Sequence, residues 1–390
     1  MVQLTDDCFA FSGPLLSLEA MERLIGERIA PVGENEQVTL RDARSRVTAA
    51  DVTAPVDLPP FDNSAVDGYA VRHADLNPAG ATTLLVAGRL AAGARSDIAL
   101  KPGQAIRIFT GAPMPAGRVM LPAGTMLEAQ HIALAAALGL TELGVRRRLK
   151  VAIFSTGDEV VEPGTPRGAA AIYDANRYLL RALLERLGVL VTDLGILADD
   201  PAELARALAK AAAWHDLVIT SGGVSTGEAD HVRSAVERIG SLVFWRVAIK
   251  PGRPVAMGVI RAAARKERAA NSGAAFVGLP GNPVAVFVTF VRVVKPLLLR
   301  LSGALPQSVL PLPVRAAFAY KKKKDRREYV RVALRRGSDG EIEAVKHPQD
   351  GAGILTSLTE TDGLLEFPED VTSIAPGERV GFLSYAALIG

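Results

Sequence analysis

The chain carries one cysteine, Cys8, among 390 residues. No intrachain disulfide can form, and no cysteine-based metal cluster. Histidine is almost as sparse: five residues, scattered without metal-ligand spacing. No Gly-x-Ser-x-Gly elbow is present, so a Ser-His-Asp hydrolase has no support. No apolar run reaches the ~18 residues a spanning helix needs; the longest apolar segment, 284–299, is broken by Arg292, Lys295 and Pro296. The first thirteen residues hold acidic side chains and no basic leader. The net charge of +3 is too small at this length to argue for nucleic acid. These absences predict a soluble cytoplasmic protein with neither nucleic acid nor membrane as a partner. One basic run, 321–327, lies between two strand-like segments, and its simplest reading is a solvated hairpin tip.

What is present is ordinary globular material. The chain is 49% hydrophobic and 22% charged, which argues against wholesale disorder. Its length exceeds one core, so about two to four domains are expected. Residues 17–29 have helical spacing, with Leu18, Met21, Leu24 and Ile25 on one face and Ser17 as cap. A second helix is expected over 40–49. From 51 to 117 the chain is rich in Pro, Gly and Asp with short β-like runs, the texture of a small β-rich unit. A helix is expected over 129–138.

Lys150 opens a different rhythm. Strands are predicted at 151–155, 189–196, 217–220 and 276–279, helices at 175–187, 201–214, 232–239 and 283–301. Gly188 is a natural helix stop, and Asp200-Pro201-Ala202-Glu203 a compact helix start. Alternation of this kind implies a doubly wound, mainly parallel sheet over 150–303, with ligands at the C-terminal ends of its strands. After Pro311 the texture is β-like again. The fold class is therefore α/β multidomain. A doubly wound α/β core at 150–303 would be joined by an elongated N-terminal α+β region (1–50 and 121–149), a small β-rich domain (51–120) and a C-terminal β-domain (304–390).

The loops carry the chemistry. TSGGVSTGEADHV (220–232) reads as strand, glycine-rich loop, helix, a cradle for an anionic phosphate-bearing ligand, with Glu228 and Asp230 suited to a bridging cation. A plain glycine-rich turn is the alternative. Asp158 and Glu159 follow a strand end and could bind a metal or a ligand, or simply sit in a capped turn. Asp174 could do likewise or merely cap its helix. Lys250-Pro251-Gly252-Arg253-Pro254 offers two cations on a stiff loop, suited to phosphate or an oxyanion such as molybdate, or to solvent. Gly278 to Pro283 forms a rigid turn into a helix start, an anion site by geometry and a good cap in any case. Two polar loops upstream, 59–70 and 110–115, complete the set.

Together these loops resemble the molybdopterin molybdenumtransferases of molybdenum-cofactor synthesis, the MoeA type, and are similar to the E domain of gephyrin. The matching pieces are PPFDNSAVDGYAV (59–71), TGAPMPAG (110–117), LPAGT (121–125), FSTGDEV (154–160), IYDANRYLL (172–180), TSGGVSTGEADHV (220–232), AIKPGRPVAMG (248–258) and GLPGNPV (278–284). They run in the family's order across nearly the whole chain. The resemblance implies insertion of molybdate into adenylylated molybdopterin, with Mg²⁺ required and AMP released. It implies Asp67, Thr110, Glu159 and Asp230 as catalytic, with Asp67, Glu159 and Asp230 also handling the metal. Asp174, Ser221, Gly222, Gly223, Ser225, Pro280, Gly281, Asn282 and Pro283 would bind the pterin nucleotide, and Lys250 and Arg253 would receive molybdate. The family also implies a homodimer with a shared active site, Asp67 and Thr110 of one subunit facing the 150–303 domain of the other. A molybdopterin adenylyltransferase is an expected partner.

The chain departs from the family after Gly117. There the family continues for about 40–50 further residues, a large part of a small domain. Here Gly117 passes straight to Arg118, Val119 and Met120 and then to the LPAGT motif. Either the small β-domain is truncated, or a segment has been left out of the chain; a half-built sheet with bare edges favours the second. Two other functions stay in view: a molybdopterin adenylyltransferase, which uses a similar glycine-rich loop, and a non-catalytic scaffold.

Overall fold

The computed structural model describes residues 4, 8–10, 15–55, 68–78, 80–89, 100–108, 119–222, 231–261 and 273–389. The chain divides into two compact units: Met1–Glu36, Ser45–Val47 and Val145–Gly390 form one, Gln37–Arg44 and Thr48–Gly144 the other. Helix α1, Leu18–Arg28, starts where the Ser17 hydroxyl accepts the Ala20 N–H at 3.1 Å, and buries Leu18, Met21 and Ile25.

The smaller unit holds a three-stranded sheet of β1 (Gly68–Val71), β2 (Leu85–Arg89) and β3 (Gln104–Ile108), with β3 in the middle. Strand β1 runs antiparallel to β3 and β2 parallel to it. Helix α2 (Ala129–Ala137) begins at a capping box made by Glu128 and His131. The helix expected over 40–49 does not form. A single 3-10 turn, Leu40–Asp42, takes its place, and Ser45 adopts a φ of 57°. The competing interactions are backbone bonds: Thr48 N–H donates to the Thr125 carbonyl at 3.0 Å, and within the larger unit Arg146 N–H donates to the Val47 carbonyl at 2.8 Å. Arg46, buried there, pairs with Glu36. Helical spacing lost to non-local pairing.

The larger unit is built on a six-stranded sheet. Its elements in chain order are β4 (Lys150–Thr156), α3 (Asn176–Arg186), β5 (Leu190–Leu197), α4 (Pro201–Ala212), β6 (Leu217–Ser221), α5 (His231–Ile239), β7 (Gly240–Arg246), β8 (Ile249–Lys250), β9 (Pro254–Arg261) and β10 (Gly273–Leu279). The strand order is β5-β4-β6-β10-β9-β7. The first four run parallel, and β9 and β7 are antiparallel. Apolar residues alternate between its faces: Val151, Ile153, Leu217 and Ile219 pack with α3 and the 283–302 helical segment, Ala152, Phe154 and Val218 with α4 and α5. The expected α4 start is present, with Asp200 Oδ1 accepting from Ala202 N and Glu203 N at 2.9 and 2.8 Å. Strands β7 and β9 were not anticipated: β7 follows α5 without a break, and the two pair antiparallel as a meander rather than through a helical crossover.

The long apolar helix expected over 283–301 is three pieces: α6 (Pro283–Thr289), a π-type turn (Phe290–Val294) and α7 (Lys295–Ser302). Pro296 has no N–H to offer the preceding turn, and the wider turn absorbs the mismatch.

The C-terminal domain closes on itself. Strands β11 (Leu312–Ala316), β12 (Arg327–Arg336), β13 (Ile342–Lys346), β14 (Gly363–Phe367) and β15 (Arg379–Ser384) follow the order β12-β13-β11-β15-β14, and β14 pairs back onto β12. A five-stranded barrel results, filled by Val314, Val330, Val332, Leu365, Phe367 and Phe382. Helix α8 (Tyr385–Ile389) ends the chain's ordered elements. The basic run is not a hairpin tip. Tyr320–Lys321 pairs with Ser373–Ile374 instead of with β12, and Lys322 Nζ folds back onto the Arg326 carbonyl at 2.7 Å.

Candidate active site

Strands β4, β6 and β10 end side by side, because their parallel register sets Leu217 opposite Val151 on one side and Ala275 on the other. Their C-terminal loops therefore converge, as a parallel sheet requires. Gly222 leaves β6 with a φ of 81°, which a side chain would resist, and its N–H bonds the Leu279 carbonyl at 3.0 Å. A side chain added at Gly281 would meet Gly222 Cα at 3.8 Å, so the two loops are neighbours. Asn176, at the start of α3, reaches across: its Nδ2 donates to the Gly281 carbonyl at 2.6 Å. That bond fixes the amide orientation and leaves Asn176 Oδ1 buried without a partner among the described residues. The hydroxyls of Ser155 and Thr220, both buried at these strand ends, also lack partners among the described residues. Sequence reasoning did not single out Asn176, although it lies inside the IYDANRYLL motif.

Asp174 has a structural task. It is buried, binds Arg177 through Nε at 2.9 Å and caps the helix by accepting from Arg177 N at 3.1 Å. Arg177 also pairs with Asp193 and Glu162. Burial works against that guanidinium's charge, and the bonds from Asp193 and Asp174 more than offset it. Glu159 is different. Its carboxylate is exposed and makes no ion pair among the described residues, while its backbone carbonyl takes the Ile172 N–H at 2.7 Å. Asn282 opens α6 through its backbone, with no side-chain cap. Pro283 lacks an N–H, and the Val284 N–H is occupied by the Ala352 carbonyl at 3.0 Å. The Val284 N–H is thus taken from within the protein.

Lys250 lies on β8, which joins the barrel sheet parallel to β12 with Lys250 opposite Glu328. The Lys250–Pro251 peptide is cis. Gly252, at a φ of 104°, lies so close to α6 that a Cβ would stand 2.5 Å from Thr289 Cγ2. This contact seats the loop against α6. Lys250, Tyr320, Glu328, Arg331, His347 and Gln349 are among the residues around a cavity of about 250 Å³. Arg253, the second cation expected here, is not among them; its side chain is exposed and forms no ion pair among the described residues.

Arg331 was not anticipated. It is 6% exposed, on β12, and has no carboxylate partner among the described residues. Its Nη2 donates to the carbonyls of Gln349 at 2.9 Å and Gly351 at 3.4 Å, and its Nε has no partner. Burial pulls its ionisation below the ordinary arginine value. Glu328 accepts from Tyr320 OH at 2.8 Å and Arg326 Nε at 2.7 Å, and lies 3.3 Å from Lys250 Nζ. Burial alone would raise its carboxyl; the bonds from Tyr320 and Arg326 and the charge of Lys250 hold it below the usual range. Burial, reinforced by Glu328, pushes the Tyr320 phenol up. The lining sets Lys250, paired with Glu328, and Arg331 against the carboxylates of Glu328 and Asp350, and Arg326 and Lys346, which bind those carboxylates from outside the lining, leave these six residues with a surplus of positive charge. A surplus of this kind in a concave site suits a dianion.

Of the other residues expected in the site, Ser221 is buried at the end of β6 beside Gly222, and Pro280 follows β10 directly. Asp67, Thr110, Gly223, Ser225 and Asp230 lie outside the described residues. Among the described residues no three His, Cys, Asp or Glu side chains gather as a metal site, and no helix is long and apolar enough to cross a membrane.

Three family descriptions match this chain in series: the MoeA N-terminal region (domains I and II) over residues 16–118, a probable molybdopterin binding domain over 152–300, and the MoeA C-terminal region (domain IV) over 313–385. A molybdopterin molybdenumtransferase of Haemophilus influenzae is 33% identical over 417 residues, covering 96% of this chain and 100% of the relative. One from Nostoc is 34% identical, covering 89% and 88%. The crystal structure of a molybdopterin biosynthesis MoeA protein from Pyrococcus horikoshii OT3 superposes with a TM-score of 0.72 at 26% identity, covering 95% of this chain and all of that one. The first alignment is longer than this chain's 390 residues, so that relative carries positions absent here. With three matching regions in series and a third of its residues shared with a relative along its full length, the chain belongs to the MoeA family of molybdopterin molybdenumtransferases.

Proposed function

We propose that this protein inserts molybdate into adenylylated molybdopterin, releasing AMP and molybdenum cofactor. The single observation that carries the reading is the buried, carboxylate-free Arg331 sharing a cavity with Lys250. Two fixed cations at one cavity recognise a tetrahedral dianion better than a neutral ligand. The nucleotide would lie at the converging ends of β4, β6 and β10, along Ser221, Gly222 and the 280–283 turn, with Gly223 and Ser225 completing the loop. Asn176 Oδ1 would accept from an N–H or O–H of that ligand, which answers its missing partner. Asp174 contributes by holding Arg177 and the α3 start rather than by contact.

The family's Mg²⁺ is compatible with the one described carboxylate of its expected set. Glu159 presents free, exposed oxygens of the hard type Mg²⁺ prefers. Asp67, Glu159 and Asp230 would hold the ion, which supplies charge neutralisation at the phosphoanhydride when bound. Lys250 and Arg331 orient molybdate, with Arg253 near the mouth of the loop. A molybdate oxygen is the nucleophile in this account, so no strongly basic side chain is required. As that oxygen bonds to the molybdopterin phosphorus, the phosphoanhydride P–O bond to AMP breaks in line and AMP leaves, while Thr110 contacts the ligand from the neighbouring loop. A homodimer would supply Asp67 and Thr110 of one subunit to the 150–303 domain of the other. A cytoplasmic setting and a molybdopterin adenylyltransferase supplying the substrate belong to the same reading.

The test is AMP release from adenylylated molybdopterin with molybdate and Mg²⁺. Asp67→Asn is expected to fold normally and to abolish Mg²⁺-dependent release; unchanged turnover rules the assignment out. Adenylylation of molybdopterin from Mg-ATP without molybdate would favour an adenylyltransferase instead. Substrate binding with no AMP release in the unmodified protein would favour a scaffold.

A further inference from the structure

Arg331 is aimed by backbone alone. Its two described acceptors, the carbonyls of Gln349 and Gly351, belong to the loop after β13. A guanidinium held by loop carbonyls is only as well placed as the loop itself. His347 fixes that loop. The ring is 6% exposed. Its Nδ1 accepts the Gln349 N–H at 3.2 Å, and its Nε2 lies 2.9 Å from Glu360 Oε2. A carboxylate needs a donor, so Nε2 carries a proton; Nδ1 lies 3.2 Å from both the Gln349 nitrogen and the Gln349 carbonyl oxygen, and in the neutral ring it accepts from the nitrogen. The His347 N–H in turn donates to the Arg331 carbonyl at 3.0 Å. One residue therefore ties the backbone of Arg331 to the peptide whose carbonyl holds its side chain.

The same loop is secured further along. Lys346 Nζ binds Asp350 at 2.8 Å. The Ala352 carbonyl caps α6 through Val284 N–H, and Ala352 also lines the cavity. We propose that His347 is a positioning residue for oxyanion capture, acting through the Gln349 peptide on Arg331, with Glu360 setting its tautomer. The proposal rests on the oxyanion reading of the cavity. It assigns His347 no contact with the nucleotide and no part in proton transfer.

The test is molybdate affinity of the full chain by equilibrium dialysis, with AMP affinity measured alongside. His347→Phe fills the ring's space but makes neither bond. It is expected to weaken molybdate about tenfold, the equivalent of one lost bond to a charged-group network. AMP affinity should change less than about twofold. His347→Asn, which restores an acceptor near Nδ1, should recover molybdate binding to within about threefold of the parent protein. A role confined to stability would give no such recovery at constant Tm. Glu360→Ala, at an exposed position, should weaken molybdate about threefold, and it carries the test if His347→Phe does not fold. Parent-like molybdate affinity in His347→Phe or in Glu360→Ala overturns the proposal, as does His347→Asn binding no better than His347→Phe. Arg331→Met separates the two layers: if it binds molybdate normally, the cavity reading falls and takes this one with it. If Arg331→Met loses molybdate while His347→Phe does not, only the His347 role is overturned.

Discussion

The two halves of the candidate site are assembled in opposite ways. At the sheet edge, the groups come from short loops that follow consecutive strands, and parallel register alone brings them together. At the barrel, Lys250, Arg331 and Gln349 come from distant parts of the chain and meet only because β8 adds to β12 and the barrel closes. The first half presents neutral side-chain polar atoms, on Ser155, Asn176 and Thr220, without partners among the described residues. The second presents a net positive charge. Phosphate loops can be written locally in glycine; a desolvated guanidinium needs a whole domain to bury it.

That contrast can be broken by substitutions that should act on one half only. The largest effect is expected from Arg331→Met. Losing a charged bond from a buried site costs about 2–3 kcal/mol, so molybdate affinity should fall about 30- to 150-fold with AMP affinity unchanged. Equilibrium dialysis of both ligands checks this. Lys250→Gln should weaken molybdate about tenfold, and the loss should shrink in high salt because the Lys250 side chain is about half exposed, at 53%. On the other half, Asn176→Ala removes the bond to Gly281 and the free Oδ1 together. Nucleotide affinity should drop about five- to tenfold while molybdate binding stays as it was.

The smallest effect sharpens the comparison through pH. The folded-state Glu328 carboxyl lies below its ordinary value of 4.5. Its stabilising contribution is therefore present above about 4.5 and is lost as pH falls through the lowered native value. Glu328→Gln should cost about 1–2 kcal/mol at neutral pH and flatten part of the acid limb of the stability curve. It should also tighten molybdate about two- to threefold by removing the one carboxylate against Lys250. Urea unfolding between pH 3 and 7, paired with dialysis, reads both directions at once.

Much of the α/β core was legible from local signals. Ser17, Asp200 and Gly188 sit where their capping chemistry puts them, and the strand and helix flanking the glycine-rich loop fall within a residue of their expected bounds. The failures share a cause. Residues 40–49 have helical spacing, yet Thr48 and Val47 find backbone partners far along the chain. Strands β7 and β9 pair as a meander around the 250–254 loop, whose proline and glycine had been read only as a stiff ligand loop. Arg331 sits in an apolar strand run, and nothing in Tyr329-Val330-Arg331-Val332 says that its charge will be buried without a carboxylate. Asp174 shows the reverse limit: a cap and a ligand carboxylate look alike in sequence, and only Arg177 beside it tells them apart. Lys250 was found because proline and glycine surround it; Arg253, chosen on the same ground, lies outside the cavity lining.

The central claim is that the oxyanion is held between Lys250 and Arg331 at the barrel cavity. The most direct measurement is the anomalous difference map of a crystal grown with tungstate, a heavier tetrahedral dianion. The account predicts a peak within hydrogen-bond reach of both the Arg331 guanidinium and Lys250 Nζ. A tungsten peak at the Gly222 loop or at Arg253 alone, with the barrel cavity holding only water, would contradict it.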